Sequence, residues 1–409
     1  MPGDMPDLLS RILGRKESLL HADMANHRAQ LAATIARSRI LVTGAAGSIG
    51  SAFVEQLVDF APAALHLVDP SENNLVELVR TLRSSDRTIP DDFRTWAIGM
   101  GTREFSHFLA AAQPYDTVVN FAALKHVRSE RDPLTLMRLI HTNIFALHDM
   151  LEHLSRTPPQ RCFSVSSDKA VNPENAMGAS KAFMEAILWH HAGRMSCTSA
   201  RFANVAFSDG SLLHGFVSRW QKGQPLSAPE DVRRYFISQQ EAGQLCLLAC
   251  FLGNNRELFI PRLNPAADLH SFAEIAQLFL AAKGCRPRLC HSEAEAKARA
   301  REMRQPTQAG ASGPQEWPCY FSRSDTSGEK MVEVFFADHE PVDFGRYQAL
   351  GVIAQPSFAG SPAVEAALAQ LRRIRQSDTW QCAEMIEALQ QVVPSLRHAP
   401  MEKNLDQKM

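Results

Sequence analysis

Ser167, Asp168 and Lys169 put a hydroxyl, a carboxyl and an amine in three consecutive positions, and Met177-Gly178-Ala179-Ser180-Lys181 follows shortly after. In a helix, the i, i+4 spacing of 177 and 181 places both side chains on one face. A titratable group at 177 would have its pKa lowered by the Lys181 ammonium, but methionine has no proton to exchange. Proton chemistry in this stretch therefore falls to Asp168, Lys169 and Lys181. An adjacent acid and amine suit a reaction in which one group protonates a leaving oxygen while another removes a proton. Lysine beside a carboxylate normally stays protonated, so a base role for Lys169 requires desolvation or the charge of Lys181. The plainer alternative is an ion pair at a strand end.

The elements that would position these groups are readable upstream. Arg39-Ile-Leu-Val-Thr43 is a short apolar strand running into Gly44-Ala-Ala-Gly47-Ser48-Ile49-Gly50. Phe53, Val54, Leu57 and Val58 then recur at helical spacing, which predicts a helix over Ser51 to Phe60. Glycines in such a turn allow close approach of the backbone to a pyrophosphate, and the helix start offers free amides and the positive end of its dipole. A second apolar strand, Ala64 to Val68, ends at Asp69, at the interval expected of a carboxylate that binds the adenosine ribose. Asp69 would repel a 2′-phosphate, and no Arg or Lys follows before Arg80, which favours NAD over NADP. No Lys-Ser/Thr pair follows the glycines, so a P-loop is disfavoured.

Composition narrows the class. The chain has 409 residues, 45% of them hydrophobic, and a formal net charge of −1, enough for a large core and unlike a general nucleic-acid binder. No apolar run approaches the roughly 18 residues of a membrane span; Leu245 to Leu252 reads as a core helix. The first residues carry Asp4, Asp7 and Arg11 and lack the apolar centre of a signal peptide, so a cytoplasmic location is expected. The eight cysteines form no CxxC pair; Cys246/Cys250 and Cys285/Cys290 read as buried free thiols. His190-His191 reads as helix surface, and no metal site is expected.

Four regions are expected. Residues 1–38 form a helical extension with an apolar stripe from Leu8 to about Ala36, read as a packing or oligomer element. Residues 39–200 alternate strands (40–43, 65–68, 95–98, 117–120, 162–166, 198–201) with helices, the pattern of a doubly wound parallel α/β sheet of Rossmann type. Residues 201–350 form a smaller substrate lobe with helices near 212–221 and 240–251, a charged helix over 293–304 and a polar loop over 305–314. Residues 351–409 form a helical tail. The two helical extensions suggest a homo-oligomer.

Several blocks together resemble extended short-chain dehydrogenases, and within them the UDP-N-acetylglucosamine 4,6-dehydratases of bacterial polysaccharide synthesis (the capsule CapD-like and legionaminic-acid types). They are Thr43 to Gly50, Asn120-Phe-Ala-Ala-Leu-Lys125-His126-Val127, Ser166 to Pro173 with Met177 to Lys181, Arg201-Phe-Ala-Asn204-Val205, Arg234-Tyr-Phe236 and Thr326-Ser-Gly-Glu-Lys330. The resemblance implies a redox-neutral lyase: oxidation of a nucleotide sugar at C4 with NAD, loss of water across C5–C6, and hydride return to C6. It implies Asp168 as the acid at C6, Lys169 as the base at C5, Ser167 on the C4 hydroxyl and Lys181 on the nicotinamide ribose. Met177 stands where some members hold Tyr and others Met, which leaves the C4-hydroxyl base open between Asp168 and a water relayed by Lys181. Gly44, Gly47, Ser48, Ile49, Gly50, Asp69, Ala122 and Lys181 would hold NAD, and Lys125, His126, Asn204, Ser211 and Arg234 the nucleotide sugar. Lys125 and His126 serve equally well as structural loop residues, and Arg201 reads as structural.

The chain also departs from that pattern. Ser167 replaces a usual Thr, the third strand ends in Ile98-Gly-Met-Gly101 without an acid, and Asp209 stands where the family has Arg. The nucleotide is open between UDP and GDP. Two other readings compete: a nucleotide-sugar C4 epimerase or reductase, which would want Tyr at 177, and a non-catalytic NAD-binding regulator, which would not need Ser167, Asp168, Lys169 and Lys181 together.

Overall fold

The computed structural model describes residues 4–126, 130, 132–304, 316–324 and 330–397. The expected loop over 305–314, Val127, most of the Thr326–Lys330 block and the last residues of the tail lie outside them.

A nine-stranded sheet forms the centre, in the order β14-β15-β10-β6-β5-β4-β1-β2-β3. Six of its parallel strands are β1 (Arg39–Thr43), β2 (Ala64–Val68), β3 (Asp92–Trp96), β4 (Thr117–Asn120), β5 (Arg161–Ser167) and β6 (Cys197–Phe202). All five residues of β2 and all four of β4 are buried, as expected of strands covered by helices on both faces. The order reverses between β1 and β4, so the carboxyl ends of these strands open a crevice there.

The sheet does not stop near residue 200. β10 (Glu257–Pro261) adds to β6 in parallel, and β15 (Leu350–Ala354) and β14 (Val342–Asp343) follow antiparallel. Glu257 to Pro261 is buried along its whole length, so it behaves as a central strand although it lies far along the chain. The expected substrate region therefore lends β10 and β14 to the sheet, and the expected helical tail opens with a strand, β15. What remains apart are two three-stranded sheets. One is β11 (Leu269–Ser271), β9 (Arg233–Ile237) and β7 (Asn204–Val205); the other is β12 (Arg286–Leu289), β13 (Glu316–Ser322) and β8 (Leu226–Pro229).

The helices in chain order are α1 (Asp4–Leu13), α2 (His21–Ile35), α3 (Ser48–Leu57), α4 (Glu72–Arg83), α5 (Arg103–Ala111), α6 (Pro133–Ile140), α7 (Ala146–Leu154), α8 (Ala176–His191), α9 (Leu212–Gln221), α10 (Gln239–Leu252), α11 (Pro265–Asp268), α12 (Phe272–Ala282), α13 (Glu293–Arg304), α14 (Ser361–Gln376) and α15 (Cys382–Val392). The prelude is two helices rather than one. Gly14 takes φ +67° and ends α1 in the left-handed cap that glycine favours. Leu8 and Ile12 of α1 join the core of the smaller lobe, whereas Leu31 and Ile35 of α2 join the main core. Arg15, between them, binds Glu241 at 2.8 Å and Asp268 at 2.9 Å. The extension is thus packed within the chain.

At the far end, α14 and α15 lie against α8. Seven cysteines are buried, Cys382 is half-buried, and all eight are free. His191 is fully buried and His190 nearly so, which corrects the expectation of a helix surface; α7 and α14 cover that end of α8. Among the described residues no helix is long and apolar enough to cross a membrane.

Candidate active site

The crevice at the strand ends holds a cavity of about 260 Å³, walled by Ile49, Lys125, His126, Ser167, Lys169, Met177, Lys181, Asn204 and Ser211 among others. Most of the residues singled out in the sequence therefore meet in one place.

On the dinucleotide side the helix begins at Ser48, earlier than the apolar period suggested, with Gly47 as its extended N-cap. The three glycines differ in what demands them. Gly44 has φ +67°, and a Cβ there would lie 2.4 Å from the Ala122 nitrogen. At Gly50 it would lie 2.2 Å from the Gly44 carbonyl oxygen. Both are required by the protein itself, and Ala122 serves as the wall against Gly44. Gly47 is in an ordinary conformation, and a Cβ would meet nothing closer than 3.6 Å. Its bareness instead suits a group lying over the helix start, as a pyrophosphate would. Asp69 is buried, and its carboxylate accepts from the Ala46 and Ser71 amides at 3.0 and 2.9 Å. Burial nevertheless raises its pKa, the two amides opposing. Ser48 Oγ accepts from the Asp209 amide at 2.9 Å, which joins the glycine loop to the smaller lobe.

The chemical groups sit where β5 ends. Side chains alternate across a strand, which would separate Asp168 from Lys169. Instead the chain turns at once into a 3₁₀ turn, Asp168–Ala170, capped by Ser167 Oγ accepting from the Lys169 amide. Both side chains then fall on one side. Lys169 Nζ donates to Asp168 Oδ1 at 2.9 Å, and Ser167 Oγ donates to the same oxygen at 2.8 Å. Asp168 is 2% exposed, so this is no surface ion pair. Lys169 Nζ also lies 3.5 Å from Asn204 Oδ1, while Asn204 Nδ2 is buried without a partner among the described residues. An orphan donor at this wall fits a phosphate or sugar oxygen.

Met177 and Lys181 line the cavity from the first turns of α8, whose N-cap Asn175 accepts from the Gly178 amide. Lys181 is 5% exposed and, among the described residues, its ammonium has no hydrogen-bond partner in the protein. Burial lowers its pKa to about 7, the charge of Lys125 adds to this, and Glu185 opposes it. A desolvated amine without a protein partner fits a ribose hydroxyl. Ser211 caps α9 by accepting from the His214 amide, so its hydroxyl acts first as a cap.

Arg234 is placed differently from the other expected contacts. It is 3% exposed behind the cavity, donates to the carbonyls of Arg233 and Met331, and approaches Glu333 at 3.9 Å. Arg201 is structural: it is buried and pairs with Glu185 and Glu340, at 2.8 and 2.7 Å.

Two further residues had no sequence signal. Glu333, 5% exposed, stands 4.0 Å from Lys169 Nζ and 3.4 Å from Lys330 Nζ. Burial and then the charge of Asp168 raise its pKa, against three surrounding cations. Lys330, the described end of the late sequence block, explains why that block bears on the site. Asn143 sits in a π-helical turn, His141–Phe145, between α6 and α7. It accepts from the Leu124 amide at 2.7 Å and donates to Ser180 Oγ at 2.9 Å, fixing the Lys125 loop against α8. A local π-helical turn often marks a functional position, but nothing in a sequence period announces one.

A family model described as "Polysaccharide biosynthesis protein" matches residues 40–297. The chain is 32% identical over 251 residues to the uncharacterized membrane protein MJ1061 of Methanocaldococcus jannaschii, covering 60% of this chain and 72% of that one. It is 31% identical to the probable polysaccharide biosynthesis protein EpsC of Bacillus subtilis and 30% identical to the capsular polysaccharide biosynthesis protein CapD of Staphylococcus aureus, over 61% and 54% of this chain. Those matches span 41% and 37% of the two relatives, less than half their length. The fold resembles that of Pen from Bacillus thuringiensis, with TM-score 0.63, 20% identity, and coverage of 79% of this chain and 89% of that one. It also resembles DesIV, a dTDP-glucose 4,6-dehydratase from Streptomyces venezuelae solved with NAD and TYD bound, with TM-score 0.50, 21% identity, and coverage of 60% and 81%.

Proposed function

The chain belongs to the polysaccharide biosynthesis protein family, and from that premise we propose that it is an NAD-dependent nucleotide-sugar 4,6-dehydratase acting on UDP-N-acetylglucosamine or a close relative. The observation that carries this reading is that Ser167 and Lys169 line one cavity with Lys181, while the buried Asp168 accepts hydrogen bonds from both Ser167 and Lys169. Simple oxidation and reduction of an alcohol does not require a second acid and amine at the reacting carbon; elimination of water does.

The glycine loop, Asp69 and Lys181 would hold NAD, which when bound supplies the hydride acceptor for C4 and the donor for C6. Ser167 would orient the C4 hydroxyl. With no Tyr at 177, Lys181 is the group suited to take that hydroxyl's proton, directly or through a water, since its pKa near 7 leaves much of it neutral. Lys169 would remove the C5 proton. Its Nζ contacts Asp168, Asn204 and Glu333, so a base role requires that it first pass a proton on. Glu333, with its raised pKa, is a buried acceptor within 4.0 Å. Once Lys169 has taken the C5 proton, it would pass that proton across the 2.9 Å contact to Asp168, which would deliver it to the leaving C6 hydroxyl. Asn204 Nδ2 and the start of α9 at Ser211 would bind the nucleotide part.

Incubation of the whole protein with NAD and UDP-N-acetylglucosamine, read by mass spectrometry, tests this. The expected product is lighter by one water. An isomer of unchanged mass would replace the proposal with a C4 epimerase, and an unchanged sugar in the presence of bound NAD would favour a non-catalytic role.

A further inference from the structure

Away from the cavity, at the other end of α8, three histidines from α7 and α8 crowd together. The rings of His148, His190 and His191 have centroids 5.0, 5.5 and 6.5 Å apart. Among the described residues, each has a buried ring nitrogen with no hydrogen-bond partner: Nδ1 of His148, Nδ1 of His190 and Nε2 of His191. Buried polar atoms are nearly always satisfied, and an orphan costs the full desolvation of that group. The orphans of His148 and His191 belong to residues whose ligand atoms lie together, and such a pair calls for one common ligand. His148 is 7% exposed and His191 is fully buried, so bulk water does not supply it.

The fourth member is a carboxylate. Glu152 lies one helical turn after His148 on α7, and its Oε1 is 3.7 Å from His191 Nε2. One ligand atom each from His148, Glu152 and His191 fall within 4.8 Å of one another. We infer that these three residues form a divalent-metal site for a zinc-like cation, with a water completing four-coordination. Two imidazoles and one carboxylate are a donor set of borderline ions such as Zn²⁺ rather than of Mg²⁺ or Ca²⁺. Bonds of about 2.0 Å put tetrahedral ligand atoms roughly 3.3 Å apart, so the ligands need to close by only a side-chain adjustment.

Opposing charges are close by and must be overcome. Arg194 binds Glu152 Oε1 at 3.1 Å, and Arg372 is held by Asp149 at 2.9 Å. Glu365 of α14, 4.0 Å from His190 Nε2, adds a negative charge. The ion would tie α7 to α8 about 15 Å, ten residues of helix rise, from Lys181. Its role is a structural staple on the helix that carries the site.

The test uses the untagged whole protein, stripped with a chelator, dialysed, and titrated with ZnCl₂ by calorimetry. One Zn²⁺ per chain should bind, and thermal unfolding should move upward with added zinc. Co²⁺ in its place should give the visible bands of a tetrahedral ion. Glu152→Gln should weaken zinc at least roughly tenfold while the metal-free variant melts as the metal-free parent does, because that side chain is 45% exposed. His191→Asn should lose the cobalt bands. No saturable zinc uptake by the parent, or undiminished uptake by Glu152→Gln, overturns the site.

Discussion

Asp168 and Lys169 are neighbours in the chain, yet their side chains meet at 2.9 Å. The 3₁₀ turn that begins at Asp168 cancels the strand alternation that would have parted them. Each group is consequently the other's direct ion-pair partner, and replacing one alters the surroundings of both.

Asp168→Asn and Lys169→Met should each lower dehydration by at least about 100-fold, the lower range for general acid–base groups, while NAD binding survives. Deuterium exchange at C5 separates them: Lys169→Met should abolish it, and Asp168→Asn should retain it while the C6 hydroxyl stays on. Near-normal turnover in both variants would remove the assigned mechanism.

Lys181 predicts a pH effect with a definite sign. Its folded pKa is about 7, against an ordinary lysine value of 10.5. Between those values the unfolded chain holds a proton that the folded one has released, so stability gains as pH rises through this window. Urea midpoints measured from pH 7 to 10 should rise for the wild type relative to Lys181→Met. Oxidation at C4, followed by NADH absorbance in a single turnover, should likewise increase as pH climbs through about 7 and lose that limb in Lys181→Met.

The glycine loop separates two effects by residue. Gly44→Ala forces a side chain into a left-handed conformation and against the Ala122 backbone, so it should destabilise by more than about 1 kcal/mol. Gly47→Ala meets no such barrier and should melt normally but bind NAD at least about tenfold more weakly, a change of roughly 1.4 kcal/mol. Asp69→Ala should weaken NAD and relax discrimination against NADP. Fluorescence titration of the three variants with both cofactors is decisive.

Met177 should matter for packing more than for proton transfer. It is 2% exposed, so Met177→Ala is expected to cost about 2–5 kcal/mol of stability. At a temperature where the variant is folded, turnover should remain substantial. A loss as deep as that of Lys181→Ala would mean that the thioether positions the sugar.

Much of this site was readable because its parts are local. The strand–glycine–helix–strand–Asp69 order and the 167–181 block each sit within a short stretch whose period and punctuation carry meaning. What escaped is what topology brings from afar. Glu333 reaches Lys169 only because the chain after β13 returns under Arg234, and no spacing encodes that. β10, β14 and β15 joined the central sheet from beyond residue 200, where a boundary had seemed natural, because a buried strand looks the same wherever it occurs. His191 read as surface because two adjacent histidines are polar by composition; packing from α7 and α14 decided otherwise. Arg234 was expected at the substrate and is held among carbonyls beside Glu333.

α8 has scarcely any outside. Ala182 and His190 are its only incompletely buried residues, with the sheet on one flank and α7, α14 and α15 around the rest. A helix so enclosed lacks a wet face along which to fray. Its amide protons should exchange with solvent only when the whole fold opens, at the slowest rate the molecule shows. Lys181 is thereby anchored to the part of the protein that moves last, and the slack needed to admit and release a sugar must come from the opposite wall.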